Sequence, residues 1–250
     1  MVSVTQRIKN IKQPRGGYIN RKSFTEINIE DHELLNSTEN IGAQLIGLVV
    51  DYMTRYLNGT DKKEAFIISL RGAAEVGELN YALELLENIV GPNDGSLAAA
   101  CQLVGYDVIV RAGKHAYRAV VDIEPDIPTI ENIRIMIMRS LKFIEEYGPV
   151  VKDGFTFEGG YTHQITSGDG DLLTESTLWD IKVIKSHLFP KYTLQLLIYY
   201  LMGMHSIHDE FDSIRNLGIY NPRFNTVYLL KLSDIPQAII DEVETEVIGY

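Results

Sequence analysis

The stretch Gly168–Lys182 constrains this chain more than any other. It reads Gly-Asp-Gly-Asp-Leu-Leu-Thr-Glu-Ser-Thr-Leu-Trp-Asp-Ile-Lys, two short apolar segments around a polar tetrapeptide, which is the pattern of a β-hairpin. With the turn centred between Glu175 and Ser176, Leu173 faces Leu178, Leu172 faces Trp179 and Asp171 faces Asp180. Side chains alternate along a strand. One face therefore takes Leu172, Trp179, Ile181 and Val183, which suits a core, and the other takes Asp171, Asp180 and Lys182.

Opposed residues of a hairpin have Cβ atoms roughly 5 Å apart, and like charges placed there destabilise the pair. A divalent cation held by both carboxylates would compensate, and a hard ion such as Mg²⁺ (or Mn²⁺) prefers oxygen ligands and keeps waters for chemistry. Lys182, two residues past Asp180 on the same face, sits where an ammonium can orient a water or stabilise a developing oxyanion. An Asp-x-Lys on a strand is ordinary by itself. What raises it here is its conjunction with the hairpin register and with the segment Tyr192–Met204, which contains no charged residue and reads as a buried helix. Gln195 and Tyr199, four apart, share one face of that helix.

The set Gly168-x-x-Asp171, Asp180-x-Lys182 and Gln195-x-x-x-Tyr199 resembles the PD-(D/E)XK nuclease superfamily, closest to the nuclease domains of bacterial recombination exonucleases. The resemblance covers about the last half of the chain. It implies that Asp171 and Asp180 are metal ligands, that Lys182 is the catalytic lysine, and that Gln195 and Tyr199 form the helix motif after the third strand. It also implies an α/β fold, a mixed-sheet restriction-endonuclease-like core of order α-β-β-β-α-β. Gly170 stands where the founding motif has proline. Glu131 is the acid chosen as upstream metal ligand, because the family's acid tends to lie early in the helix before the sheet; Glu145, Glu146 and Glu158 compete.

Along the chain, residues 1–40 read as a polar, basic arm, residues 41–125 as a mostly helical accessory region, and residues 126–250 as the nuclease-like core. In the accessory region Ile41–Leu57 has helical periodicity, Ser96 is placed to cap a helix through Val104, and Tyr106–Arg111 with Tyr117–Ile123 suggests a second hairpin. In the core, Thr129 is placed to cap a helix over Ile130–Tyr147. Val150–Phe157 reads as a strand and Tyr161–Ile165 as a further extended piece; after the Gln195 helix come strands at Gly218–Tyr220 and Thr226–Leu232 and a helix over about Pro236–Glu246.

Net charge of −11 argues against a protein that coats nucleic acid indiscriminately. Yet six of the 23 basic residues and none of the 34 acidic ones fall in the first 22 positions. Arg7, Lys9, Lys12 and Arg15 of this arm are candidate phosphate contacts, as are Lys185 and Lys191 flanking the hairpin. The one cysteine, Cys101, lies in a small-residue helix and excludes a disulfide framework or thiolate cluster. His163, His187, His205 and His208 assemble no zinc site, and there is no Walker-type phosphate loop. No membrane-length apolar run and no apolar signal core are present, so the expected location is the cytoplasm. The function expected is a metal-dependent DNA nuclease, alone, as a homo-oligomer or with a protein partner. The alternative is a non-catalytic nucleic-acid- or protein-binding module on the same fold.

Overall fold

A computed structural model of the chain describes residues 2–186 and 188–250; Met1 and His187 lie outside the described residues. In chain order the helices and strands are α1 (Val4–Lys9), β1 (Thr25–Asn28), α2 (Ala43–Leu57), α3 (Lys62–Ala65), α4 (Ile67–Glu75), α5 (Leu79–Asn88), α6 (Asp94–Val104), α7 (Asp107–Ala112) and α8 (Ile127–Tyr147). There follow β2 (Val150–Phe155), β3 (Gly170–Thr174), β4 (Thr177–Ile181), α9 (Pro190–Met204), β5 (Asn216–Asn221), β6 (Thr226–Lys231) and α10 (Gln237–Glu242), the last running into a π-helical turn, Val243–Ile248. The protein is thus α/β. No helix among the described residues is long and apolar enough to cross a membrane.

The chain forms two compact units, one of Met1–Glu30 with Ile144–Tyr250 and the other of Asp31–Phe143. This corrects the expected divisions at 40 and 125. The first thirty residues are not an arm but part of the sheet unit: a Ser3–Gln6 capping box starts α1, Val4, Ile8, Tyr18, Ile19 and Phe24 join the core, and β1 pairs with β6. A handful of apolar side chains in a polar stretch is enough to anchor it.

The sheet of the first unit has six strands in the order β1-β6-β5-β4-β3-β2. Only β4 and β5 run parallel; every other pair is antiparallel. A parallel pair needs a crossover, and α9 supplies it, which is why most of its uncharged stretch after Lys191 is buried. The observed hairpin register pairs Leu172 with Trp179 and Leu173 with Leu178, as the sequence predicts. The faces differ from expectation in one respect: the main core lies on the aspartates' side. Leu173 and Leu178 alternate with Asp171 and Asp180 on that face and pack into the cluster with Leu194, Leu197, Ile198 and Tyr199 of α9. The opposite face is also covered, Trp179 meeting Tyr147 edge-on at 5.3 Å. Gly218 is directly opposite Trp179 on β5, and a β-carbon there would overlap the indole ring.

The second unit is helical. Its buried polar centre is Asp107, whose carboxylate accepts the Tyr52 hydroxyl at 2.6 Å and the Ser69 hydroxyl at 2.5 Å. Those bonds hold 107–112 in a helix and correct the expected hairpin: two 3₁₀ turns, Lys114–Ala116 and Val120–Asp122, follow instead of a second strand. Two expected caps shift as well. Asn93, not Ser96, caps α6 by accepting the Ser96 N–H, and Asp126 accepts the Thr129 N–H inside the first turn of α8, which starts at Ile127. In the sheet unit, Tyr161–Ile165 forms no strand. Cys101 is buried, and burial pushes its thiol up to about 12, which makes it inert.

Candidate active site

Asp171 leaves β3 and Asp180 leaves β4 as the next pair outward from Leu172 and Trp179. Oδ2 of Asp171 accepts the backbone N–H of Ile181 at 2.8 Å, so its carboxylate is drawn across to the neighbouring strand. Asp180 is 0% exposed. Its Oδ1 accepts the Lys182 ammonium at 2.7 Å, whereas Oδ2 is buried with no hydrogen-bond partner. Burial pushes the Asp180 carboxyl up to about 6; the Lys182 charge opposes this and the Asp171 charge adds to it.

Lys182 keeps 19% of its side chain exposed. Burial favours its neutral form, but the combined pull of Asp180, Asp171 and the Tyr199 oxygen outweighs it and holds the ammonium protonated. From α9, Gln195 Nε2 donates to the Tyr199 hydroxyl at 2.7 Å. Burial raises the Tyr199 phenol; Lys182 opposes the rise, and Asp180 and Asp171 reinforce it. The phenol is therefore neutral and lies within the field of all three charged groups. Its ring stacks on Phe157 at 5.1 Å, and Gly168 passes close to it. Asp171, Asp180, Lys182, Gln195 and Tyr199 of the sequence pattern thus come together on one face of the hairpin under α9.

The remaining candidates have the following surroundings. Glu131 belongs to the second unit and pairs with Arg134, an i,i+3 contact along α8. Arg7 donates to the backbone carbonyls of Val247 and Glu246, each at 2.8 Å, which ties it to the C-terminal turn rather than to solvent. Lys9, Lys12 and Arg15 are exposed, as are Lys185 and Lys191. His205 meets Glu244, and His208 meets Glu158 and Lys152, so the two histidines serve different contacts. Sequence alone does not single out Phe189 and Tyr192 at the start of α9, although an aromatic directly before Pro190, where a capping residue belongs, is an available signal.

Among the described residues no group of three or more His, Cys, Asp or Glu is gathered to hold a metal. Two carboxylates, one with a buried, unpartnered oxygen, nonetheless fit a hard divalent cation, because Mg²⁺ is commonly held by one or two carboxylates with the remaining positions left to water and phosphate. A buried carboxylate oxygen without a partner is otherwise costly. No family model, no curated protein and no solved structure matches the chain.

Proposed function

We propose that this chain is a divalent-metal-dependent nuclease of the PD-(D/E)XK type that hydrolyses DNA phosphodiester bonds. The observation that carries the reading is the buried, unpartnered Oδ2 of Asp180, on a carboxylate whose Oδ1 accepts the Lys182 ammonium at 2.7 Å. The element order from β2 onward, three strands, a crossover helix and a strand parallel to β4, supports a restriction-endonuclease-like core.

In this reading Asp171 and Asp180 hold Mg²⁺ or Mn²⁺. A bound ion would polarise the phosphoryl oxygen and lower the pKa of a coordinated water. Asp171 is fixed by the Ile181 amide and presents its other oxygen. Lys182 carries the charge that orients the attacking water and offsets the charge growing on the phosphate. Gln195 and Tyr199 hold each other and keep a neutral hydroxyl beside the carboxylates.

Titration calorimetry with Mg²⁺ and Mn²⁺, beside cleavage assays on linear, circular and single-stranded DNA, tests this. Binding and cutting are expected of the wild type, and neither of Asp180→Asn. A wild type that binds no divalent ion at millimolar concentration and cuts none of the substrates would leave a non-catalytic binding module on this fold.

A further inference from the structure

The start of α9 breaks a local rule in a way the core does not require. Phe189 occupies the N-cap position and makes no side-chain capping hydrogen bond, where Ser, Thr, Asp or Asn would supply one; only its backbone carbonyl accepts the Tyr192 N–H, at 2.9 Å. Its ring is 48% exposed. Half-buried Tyr192 lies 6.3 Å from it, tilted by 44°. The Lys191 ammonium stands 4.7 Å from the Tyr192 ring centre and 5.7 Å from that of Phe189.

This cluster is continuous with the candidate active site. Lys182, which bonds Asp180, also lies 6.0 Å from the centre of the Tyr192 ring. The surrounding sequence is selective in charge: from Lys182 to His208 there are three lysines and no Asp or Glu, in a chain of net charge −11. An exposed Phe189 and a half-buried Tyr192 interleaved with ammonium groups suit unpaired bases on a phosphate backbone. In an intact duplex both faces of an interior base are already stacked, so a platform of this kind discriminates for unpaired strands.

We propose that Phe189 and Tyr192, with Lys191 over both rings, form a stacking platform that receives single-stranded nucleic acid and leads its backbone to Asp171, Asp180 and Lys182. The proposal rests on the nuclease reading for the purpose of the platform, but not for its existence.

The test is binding by the full chain in a chelator, which suppresses metal-dependent cutting, to short single strands carrying a fluorescent purine analogue and to a blunt duplex of the same length. DNA and RNA versions of the strand show which sugar is taken. Stacking should quench the analogue. Phe189→Leu and Tyr192→Leu, which keep apolar bulk, should each weaken single-strand affinity about tenfold and reduce the quench, with duplex affinity changed less than about twofold; Phe189→Trp should restore both. Melting of each variant checks that it is folded. Equal single-strand binding by wild type and the folded Leu variants would overturn the proposal. So would equal losses on single strand and duplex, or no single-strand binding by the wild type. Stacking-dependent binding without metal-dependent cleavage would keep the platform and remove the nuclease, whereas cleavage with KM unchanged in both Leu variants would do the reverse.

Discussion

Oδ2 of Asp171 accepts the backbone N–H of Ile181 at 2.8 Å, on the strand that carries Asp180. The bond holds one carboxylate against a second that is fully buried. Burial raises the Asp180 carboxyl to about 6 in the fold, against about 3.9 for a free aspartate. Since the folded form binds this proton more tightly than the unfolded chain, Asp180's contribution to stability is complete below about pH 4 and is lost as pH rises through about 6. A divalent ion acts in the opposite sense because it needs the ionised carboxylate. The rise in melting temperature produced by Mg²⁺ should therefore be largest above about pH 7 and should fade below about pH 5. Melts with and without Mg²⁺ across that range decide it; a shift that does not depend on pH would place the ion elsewhere.

On the nuclease reading, Lys182→Ala should separate chemistry from metal binding. Removing its charge should leave the affinity for Mg²⁺ within a few-fold of wild type and slow cleavage about a hundredfold, equivalent to on the order of 3 kcal/mol. Single-turnover rates beside calorimetry would show the split, and parallel losses in both would mean that Lys182 acts by shaping the carboxylate pair.

Tyr199→Phe probes the helix side of the site. The buried Gln195 amide would lose its acceptor, at a cost of about 1–3 kcal/mol. Urea denaturation should register this as a lower midpoint with an unchanged slope. An unaltered midpoint would show that Gln195 finds another partner.

Gly218→Ala tests the reverse face. The added methyl would meet the Trp179 ring, and overpacking of this kind typically costs about 1–3 kcal/mol. Trp179 is the only tryptophan, so its emission reports the displacement directly. An unchanged spectrum and melting temperature would contradict the packing of Trp179 against β5.

Deleting the first 22 residues should destabilise the protein rather than merely weaken its hold on nucleic acid, because Val4, Ile8, Tyr18 and Ile19 leave the core with them. Lys9→Gln, Lys12→Gln and Arg15→Gln together, at exposed positions, test the charge alone. They should lower the salt dependence of DNA binding without altering the melting temperature. Salt slopes identical to wild type would remove these side chains from any DNA contact.

The hairpin was legible because a period of two leaves little freedom: once the turn falls between Glu175 and Ser176, Asp171 and Asp180 must oppose each other. The uncharged run of α9 was legible for a similar reason, as few places in a fold accept it. What sequence hid was partnership at long range. Nothing in Thr25–Asn28 announces pairing with β6. The β-branched run Val108-Ile109-Val110 favours a strand by propensity, yet Asp107's bonds to Tyr52 and Ser69 hold its neighbourhood helical, a tertiary override. Burial of Asp180 was also hidden. Leu173 and Leu178 share its face, but only α9 packed above them removes the water.

The pairing of β1 with β6 joins Thr25 to Leu229, a closure over roughly 200 residues. During synthesis from the N-terminus, β1 leaves the ribosome long before its partner exists, while the whole of Asp31–Phe143 is already free to fold. The helical unit is thus expected to be the first to acquire protection from proteolysis on the nascent chain, and the carboxylate pair to be buried only after α9 has emerged.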